Sequence, residues 1–301
     1  MNAPTPKTVS EYLEQLRRAL AGSDPALVQD ALYDAEEYLR AELAENPAQD
    51  EATVLASIAG SYGDPEEVAD IYRQTETTVA KALQPPPRKP QRSTAGRFFG
   101  VLIDSRAYTS LFYMLLSLVT GILYFTWVVT GMSLSLGLSI LIIGIPVAIL
   151  FFASVRGIAL FEGRLVEALL GERMPRRPTY QVKNKDVPAL ERIKTLFTDP
   201  RSWSSMIYML LMQPLGAAYF AFAVGLLAVS FGIAAIPIVD QFNDHGTISI
   251  GNWYFTAPWW SFPVFLGVAI LVFAIGLHIA RGVGYVHAQL AKSLLVKSAR
   301  L

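Results

Sequence analysis

The chain has 301 residues, 52% of them hydrophobic, with 25 Lys and Arg against 25 Asp and Glu and no cysteine. The absence of cysteine excludes a disulfide framework, a thiolate nucleophile and any Cys-ligated metal or iron–sulfur centre. Neutrality conceals a division. Residues 1–87 carry six basic and sixteen acidic side chains, a balance of −10, whereas residues 88–301 carry nineteen and nine, a balance of +10. An asymmetry of this size marks two parts in different surroundings, in keeping with about two domains for the length.

No charged stretch followed by an apolar one opens the chain, so no signal peptide is expected. Val9, Tyr12, Leu13, Leu16 and Leu20 form one apolar stripe at helical spacing. Gly22 closes this helix, and Asp24-Pro25 caps and opens the next. The second helix has Val28, Ala31, Leu32, Ala35, Tyr38, Leu39 and Leu43 on its apolar face. A third helix is expected over about 51–62, ended by Gly63, and Asp64-Pro65-Glu66-Glu67 is a capping box for a fourth. Together they predict an acidic helical domain over 1–83. Asp30, Asp34, Glu36, Glu37, Asp64, Glu66 and Glu67 are expected at its solvent face. Solubility is their simplest role. They are also the candidate surface for a basic protein partner, or for the basic loop Arg173–Lys194 of the same chain. Phosphates would be repelled, so direct nucleic-acid binding is not expected. A Pro-rich, extended linker follows at 84–96.

The rest, 97–301, is written for a bilayer. The 49 residues between Arg106 and Arg156 contain no charged side chain, nor do Ser202–Val239 and Gly246–Ala280. A hydrocarbon core of about 30 Å takes about 20 helical residues, and lipid offers the backbone no partner outside a helix. Four spans are expected, near 108–130, 137–156, 204–230 and 260–281, the first two joined by a turn at Gly131–Gly137. The fold class is thus all-α. All nineteen basic residues of this half fall in 88–106, 156–201 and 281–300. The positive-inside rule therefore predicts an inner-membrane protein with both termini cytoplasmic.

A shift of 95 residues aligns Asp104, Arg106, Ser110, Tyr113, Gly121 and Tyr124 with Asp199, Arg201, Ser205, Tyr208, Gly216 and Tyr219, with ten identities over 22 positions. A shift of 125 aligns Arg156-Gly157 with Arg281-Gly282 and Leu165, Leu169 and Leu170 with Leu290, Leu294 and Leu295. Two parallel hairpin repeats follow, the second with 30 extra residues in its outer loop. The Asp-x-Arg and aromatic matches are expected to anchor the helices at the membrane interface. The insertion, about 232–259, predicts a short β-hairpin. Its Asp240, Asp244, His245, Trp253, Tyr254, Trp259 and Trp260 are an aromatic belt or a candidate ligand-sensing loop.

Catalytic patterns are missing: no Gly-x-x-x-x-Gly-Lys-Ser/Thr, no Gly-x-Ser-x-Gly and no His-Glu-x-x-His. His278 and His287 are nine residues apart, too far for an i, i+4 metal pair. Apart from Arg156 and Arg281 at their ends, the expected spans hold no Asp, Glu, Lys or Arg, which disfavours a pump or secondary transporter. His278, at the inner end of the fourth span, is the one ionisable candidate there, and is expected at the interface. Neither enzymatic activity nor a cofactor is expected.

Gly144-Ile-Pro146, Arg156-Gly-Ile-Ala-Leu-Phe-Glu162, Leu165, Leu169-Leu-Gly171, Asp199-Pro-Arg-Ser-Trp203, Tyr208-Met-Leu-Leu and Pro214-Leu-Gly216 resemble the four-helix sensor membrane domain that often precedes the kinase core of bacterial sensor histidine kinases. The resemblance covers about 97–295. Gly163 departs from it, since the family usually has Arg after the Glu. No phosphoacceptor helix or ATP-binding domain follows in the 301 residues, so kinase activity is not implied. Residues 9–73, notably Tyr33-Asp-Ala-Glu-Glu-Tyr38 and Tyr62-Gly-Asp-Pro-Glu-Glu-Val-Ala69, resemble the HTH-associated α-helical signalling (HAAS, DUF1700-like) domain. That family is linked to membrane modules and to separately encoded winged-helix regulators of the PadR type.

The resemblances imply a non-enzymatic membrane sensor that couples an outer or bilayer stimulus to a cytosolic regulator. Motion of the helix pairs would travel through the extensions 156–171 and 281–297. The alternative is an accessory or scaffolding subunit of a membrane complex, for example beside an ABC transporter, or a homo-oligomer. Gly216, Ala217, Ala218, Ala221 and Gly225 would then permit close helix approach. A lipid-handling or transport activity is the third reading.

Overall fold

The computed structural model describes residues 5–83, 94–138, 144–175, 198–243, 246–250 and 253–296. Asp244, His245, residues 84–93 of the expected linker and most of the basic loop lie outside them.

Four helices build the N-terminal bundle: α1 (Val9–Ala19), α2 (Pro25–Glu45), α3 (Glu51–Ala59) and α4 (Pro65–Leu83). Their starts follow from local chemistry. Thr8 Oγ1 accepts the Glu11 N–H at 3.2 Å, and Asp24 Oδ1 accepts the Ala26 N–H at 2.8 Å with Pro25 in the first turn. The third helix stops at Ala59, short of the expected 62. Leu16, Leu20, Leu39, Val54, Ile58 and Val68 fill the core. The two tyrosine-bearing motifs meet there, with the Tyr38 ring stacked on Tyr62 at 4.4 Å. Burial pushes the Tyr62 phenol up to about 12. The Tyr12 hydroxyl donates to the Gly63 carbonyl at 2.8 Å. Gly63 presents that carbonyl with φ +105°, a conformation that other residues rarely adopt.

After α5 (Thr94–Phe99), which already includes the end of the expected linker, and a 3₁₀ turn (Gly100–Ile103), come the long helices. They are α6 (Ser105–Gly137), α7 (Gly144–Leu170), α8 (Pro200–Val239) and α9 (Phe262–Leu295). All four are long and apolar enough to cross a membrane, α9 together with the short turn before it. Phe112, Leu123, Leu150, Phe231 and Val264 are between 56% and 72% exposed on their outer faces. So much outward apolar surface would aggregate in water and is at home in lipid. The chain is a multi-pass membrane protein. The first helix does not turn at Gly131–Gly137 but remains helical to Gly137, and the second is described from Gly144. At 33 residues, α6 spans about 50 Å, more than the hydrocarbon thickness of about 30 Å.

The most extensive contact pairs α6 with α8, the first helices of the two repeats. It is reciprocal. A Cβ on Gly121 would sit 2.4 Å from the Met212 carbonyl oxygen, and one on Gly216 would sit 2.1 Å from that of Ser117. Positions 117 and 212, like 121 and 216, are repeat equivalents, so the two helices meet as an isologous pair within one chain. At the opposite end, β1 (Ile248–Ile250) and β2 (Trp253–Phe255) form an antiparallel hairpin, Ile248 facing Phe255.

Candidate functional site

The repeat equivalents converge on one buried cluster. Glu162 on α7 is 1% exposed. Its Oε1 accepts the Tyr113 hydroxyl at 2.6 Å and the Tyr208 hydroxyl at 2.8 Å, and its Oε2 accepts the Tyr124 hydroxyl at 2.8 Å. His287 on α9, also 1% exposed, places Nε2 2.7 Å from the Tyr113 oxygen and 3.0 Å from the Tyr208 oxygen. Its Nδ1 lies 3.3 Å from the Tyr219 hydroxyl. Both shared tyrosines spend their hydrogen on Glu162, so their oxygens can only accept from His287. The network therefore assigns the ring proton to Nε2 and leaves Nδ1 to accept from Tyr219 in the neutral ring.

Three pairs make this cluster: Tyr113 with Tyr208, Tyr124 with Tyr219, and Glu162 with His287. Each is a repeat pair, at offsets of 95, 95 and 125 residues. The last has diverged into a carboxylate facing an imidazole, which turns a symmetric position into an asymmetric hydrogen-bonded chain. Such a chain can relay or hold a proton between two ionisable groups in the packed interior, and polar groups at this depth are costly unless fully bonded.

Toward the basic end, Asp104 and Asp199 cap α6 and α8, accepting the N–H groups of Arg106 at 3.2 Å and Arg201 at 3.1 Å. Each also binds the arginine of the opposite repeat, Arg281 to Asp104 and Arg156 to Asp199, both at 2.9 Å. The repeats are cross-strapped by equivalent ion pairs.

Beyond the cluster the same two helices reach the N-terminal bundle. Arg173, just past α7, donates to Asp30 at 3.1 Å and to Glu76. Lys292, five residues after His287, donates to Asp24 at 2.6 Å and Glu172 at 2.7 Å.

Several expectations change. Tyr113 and Tyr208 are 2% and 1% exposed, so they cannot anchor the helices in headgroups. Asp30 and Glu36 are buried, against a solvent-facing expectation. Asp30 is taken by Arg173, and Glu36 accepts from Arg40 at 2.7 Å. Asp34 accepts the Tyr72 hydroxyl at 3.1 Å. Glu37, Asp64, Glu66 and Glu67 remain exposed. His278 does lie at an exposed position, with Nε2 3.0 Å from the Phe98 carbonyl oxygen, whereas Glu162 and His287 are buried in the membrane-domain core. In sequence, His287 stands out only as a residue too far from His278 for a metal pair and Glu162 only as part of a family motif, because both lie beyond Arg156 and Arg281, which end the charge-free runs. The 125-residue register of Arg156/Arg281 and Leu165/Leu290 is the signal that pairs them.

In the loop between α8 and α9, Asp240 is committed to structure. Its Oδ2 accepts the Ala257 N–H at 2.7 Å, and its Oδ1 accepts the Thr247 N–H at 2.7 Å and the Thr247 hydroxyl. The Ala257 bond, then those from Thr247, hold its carboxyl below the ordinary value. Tyr254, Trp259 and Trp260 are exposed. The two tryptophans, with Pro237, Ile238, Phe242 and Phe262, border an open apolar hollow of about 660 Å³. Trp253 lies on β2. Among the described residues no cluster of His, Asp and Glu could hold a metal.

Four apolar helices in two repeats behind a helical bundle define a multi-pass membrane protein of the sensor class. The chain matches the family described as "Putative sensor" over residues 113–295 and the HAAS family over 11–71. It belongs to the first of these families and carries a HAAS domain ahead of it. Both families are non-catalytic in kind. No curated protein and no solved structure matches the chain.

Proposed function

We propose that the protein is a non-enzymatic inner-membrane sensor. Its membrane domain responds to an outer or bilayer stimulus and changes how the HAAS domain, on the cytoplasmic side, engages a cytosolic regulator. A winged-helix PadR-type protein is the partner that the HAAS resemblance favours. One observation carries the reading: α7 and α9, which bear Glu162 and His287, are the helices whose ends hold the HAAS domain through Arg173 and Lys292. A change at the buried cluster shifts these two helices and thereby the acidic surface that they cover. The outer hollow beneath Trp259 and Trp260 is the input site in this reading, and Glu37, Asp64, Glu66 and Glu67 the exposed part of the output surface. The test is in-cell cross-linking from the HAAS domain. A regulator captured more strongly when Arg173 and Lys292 are both neutralised supports the reading; no regulator under any growth condition, with either form, refutes it.

A second reading, an accessory subunit of a membrane complex such as an ABC transporter, is favoured by a shallow groove on the lipid side. Ala221, Gly225 and Gly276 line it, and small residues of this kind accept a neighbouring helix. Co-purification of a stoichiometric ATPase in mild detergent would select this reading.

A further inference from the structure

Arg201 and Arg156 sit side by side at the basic end of the bundle and share the field of Asp199, but only the Arg156 guanidinium is hydrogen-bonded to it. Asp199 gives one oxygen to Arg156 and the other to the Arg201 backbone N–H. The Arg201 guanidinium has its Nη1 buried with no hydrogen-bond partner among the described residues. A buried cationic donor left in this state is costly, and a site that retains one normally supplies an anion.

Space for that anion exists. Arg156, Arg201 and Leu160 form the membrane-domain wall of a cavity of about 420 Å³, and Tyr33, Glu36 and Glu37 of α2 form the facing wall. Glu36 is bonded to Arg40, while Glu37 has no partner among the described residues. The cavity thus presents a guanidinium with Nη1 unpartnered on one side and, among the described residues, an unbonded carboxylate on the other. The repeat contains the same cationic half a second time. Arg106, Ser110, Leu170 and Arg281 line a cavity of about 440 Å³, and they are the equivalents of Arg201, Ser205, Leu295 and Arg156 in the first. The second cavity has no residue of the HAAS domain in its described lining, and its one carboxylate, Glu172, is taken by Lys292.

We propose that the seam between the HAAS and membrane domains binds a zwitterionic phosphate–ammonium group, with the phosphate on Arg201 and Arg156 and the ammonium on Glu37. The arginine fork suits a phosphate oxygen pair. Phe161, next to Leu160, and Trp203, two residues past Arg201, carry exposed apolar side chains, which suits an ethanolamine phospholipid headgroup, with free phosphoethanolamine as the soluble source of the same chemistry. Basic pockets between membrane helices are ready headgroup sites. Occupancy would tie the HAAS domain to the bilayer by charge pairs on both walls. This inference stands whether or not the protein signals to a regulator.

Native mass spectrometry of the delipidated full chain in detergent tests it, with phosphatidylethanolamine, phosphatidylglycerol, phosphatidylcholine, phosphoethanolamine and inorganic phosphate as probes. The expected result is preferential retention of phosphatidylethanolamine, with Arg201→Gln weakening both phosphatidylethanolamine and phosphatidylglycerol by about tenfold. Glu37→Gln, an exposed position whose change leaves folding intact, is expected to erase the preference of phosphatidylethanolamine over phosphatidylglycerol. Competition by phosphoethanolamine at equal concentration assigns the soluble source, and failure to compete assigns the lipid; both support the site. Equal retention of all three lipids by the wild type, or an undiminished preference in Glu37→Gln, overturns it.

Discussion

Glu162 and His287 are repeat equivalents 125 residues apart that meet across the hydroxyls of Tyr113 and Tyr208. Replacing Glu162 by Leu would take the acceptor from three buried tyrosine hydroxyls, each costing about 1–3 kcal/mol. The expected loss in unfolding free energy of the detergent-solubilised protein is therefore above about 3 kcal/mol. Tyr124→Phe removes one donor and is expected to cost about 1 kcal/mol. Denaturation monitored by circular dichroism orders the two, and equal effects would dismiss the cluster as an energetic centre.

Tyr113 and Tyr208 share Oε1 of Glu162 and Nε2 of His287. Their Phe variants should be non-additive, with a coupling energy of about 0.5–3 kcal/mol in a double-mutant cycle. Strict additivity would mean that the two hydroxyls act independently.

Small residues on α8 divide into two kinds. Gly216→Ala forces the α6–α8 pair apart, and overpacking of this sort costs about 1–3 kcal/mol. Gly225, where an added Cβ meets nothing within 4 Å, should tolerate Ala without loss of thermal stability in the isolated protein. A defect in Gly225→Ala that shows only in cells would point to a partner helix in the groove.

Arg173 holds Asp30, whose side chain is 8% exposed, while its own is 17% exposed. Loss of one partner from a largely buried pair is expected to weaken the seam by about 2–3 kcal/mol, allowing for partial exposure. The chain has no native cysteine, so labels at Glu66→Cys and Phe161→Cys can be read without background. Arg173→Ala should broaden the distance distribution between them, and an unchanged distribution would show that Lys292 alone suffices.

Asp240 gives the loop between α8 and α9 a pH dependence. Its carboxyl is held below the ordinary value when folded, so the stabilisation is present above the unfolded pKa of about 3.9 and is lost as pH falls through the folded value. Proteolysis within 240–257 by an acid-active protease should accelerate as the pH drops below about 4. Asp240→Asn should be cut readily at all pH values and lose that dependence.

The spans, the repeat and the helical bundle were legible because each leaves a one-dimensional trace. A charge-free run longer than a bilayer, a constant offset between matches, and apolar residues at helical spacing need no neighbour to be recognised. Termini were less so. The helix α6 continues through Gly131 because its backbone bonds are internal and only a partner, not composition, would stop it there. The cluster was half legible: the tyrosine pairs stood out as matches, but their burial did not.

By itself the sequence determined that this is a four-span membrane protein of duplicated hairpins behind an acidic helical domain, since hydropathy and periodicity act locally along the chain. Only the tertiary structure decided that Tyr113, Tyr208, Glu162 and His287 share one set of hydrogen bonds, and that Asp30 belongs to Arg173 rather than to solvent. Those contacts join residues from 46 to 174 positions apart. Which side chains meet at such separations depends on how the helices pack, and on the desolvation that makes a buried polar group take a partner.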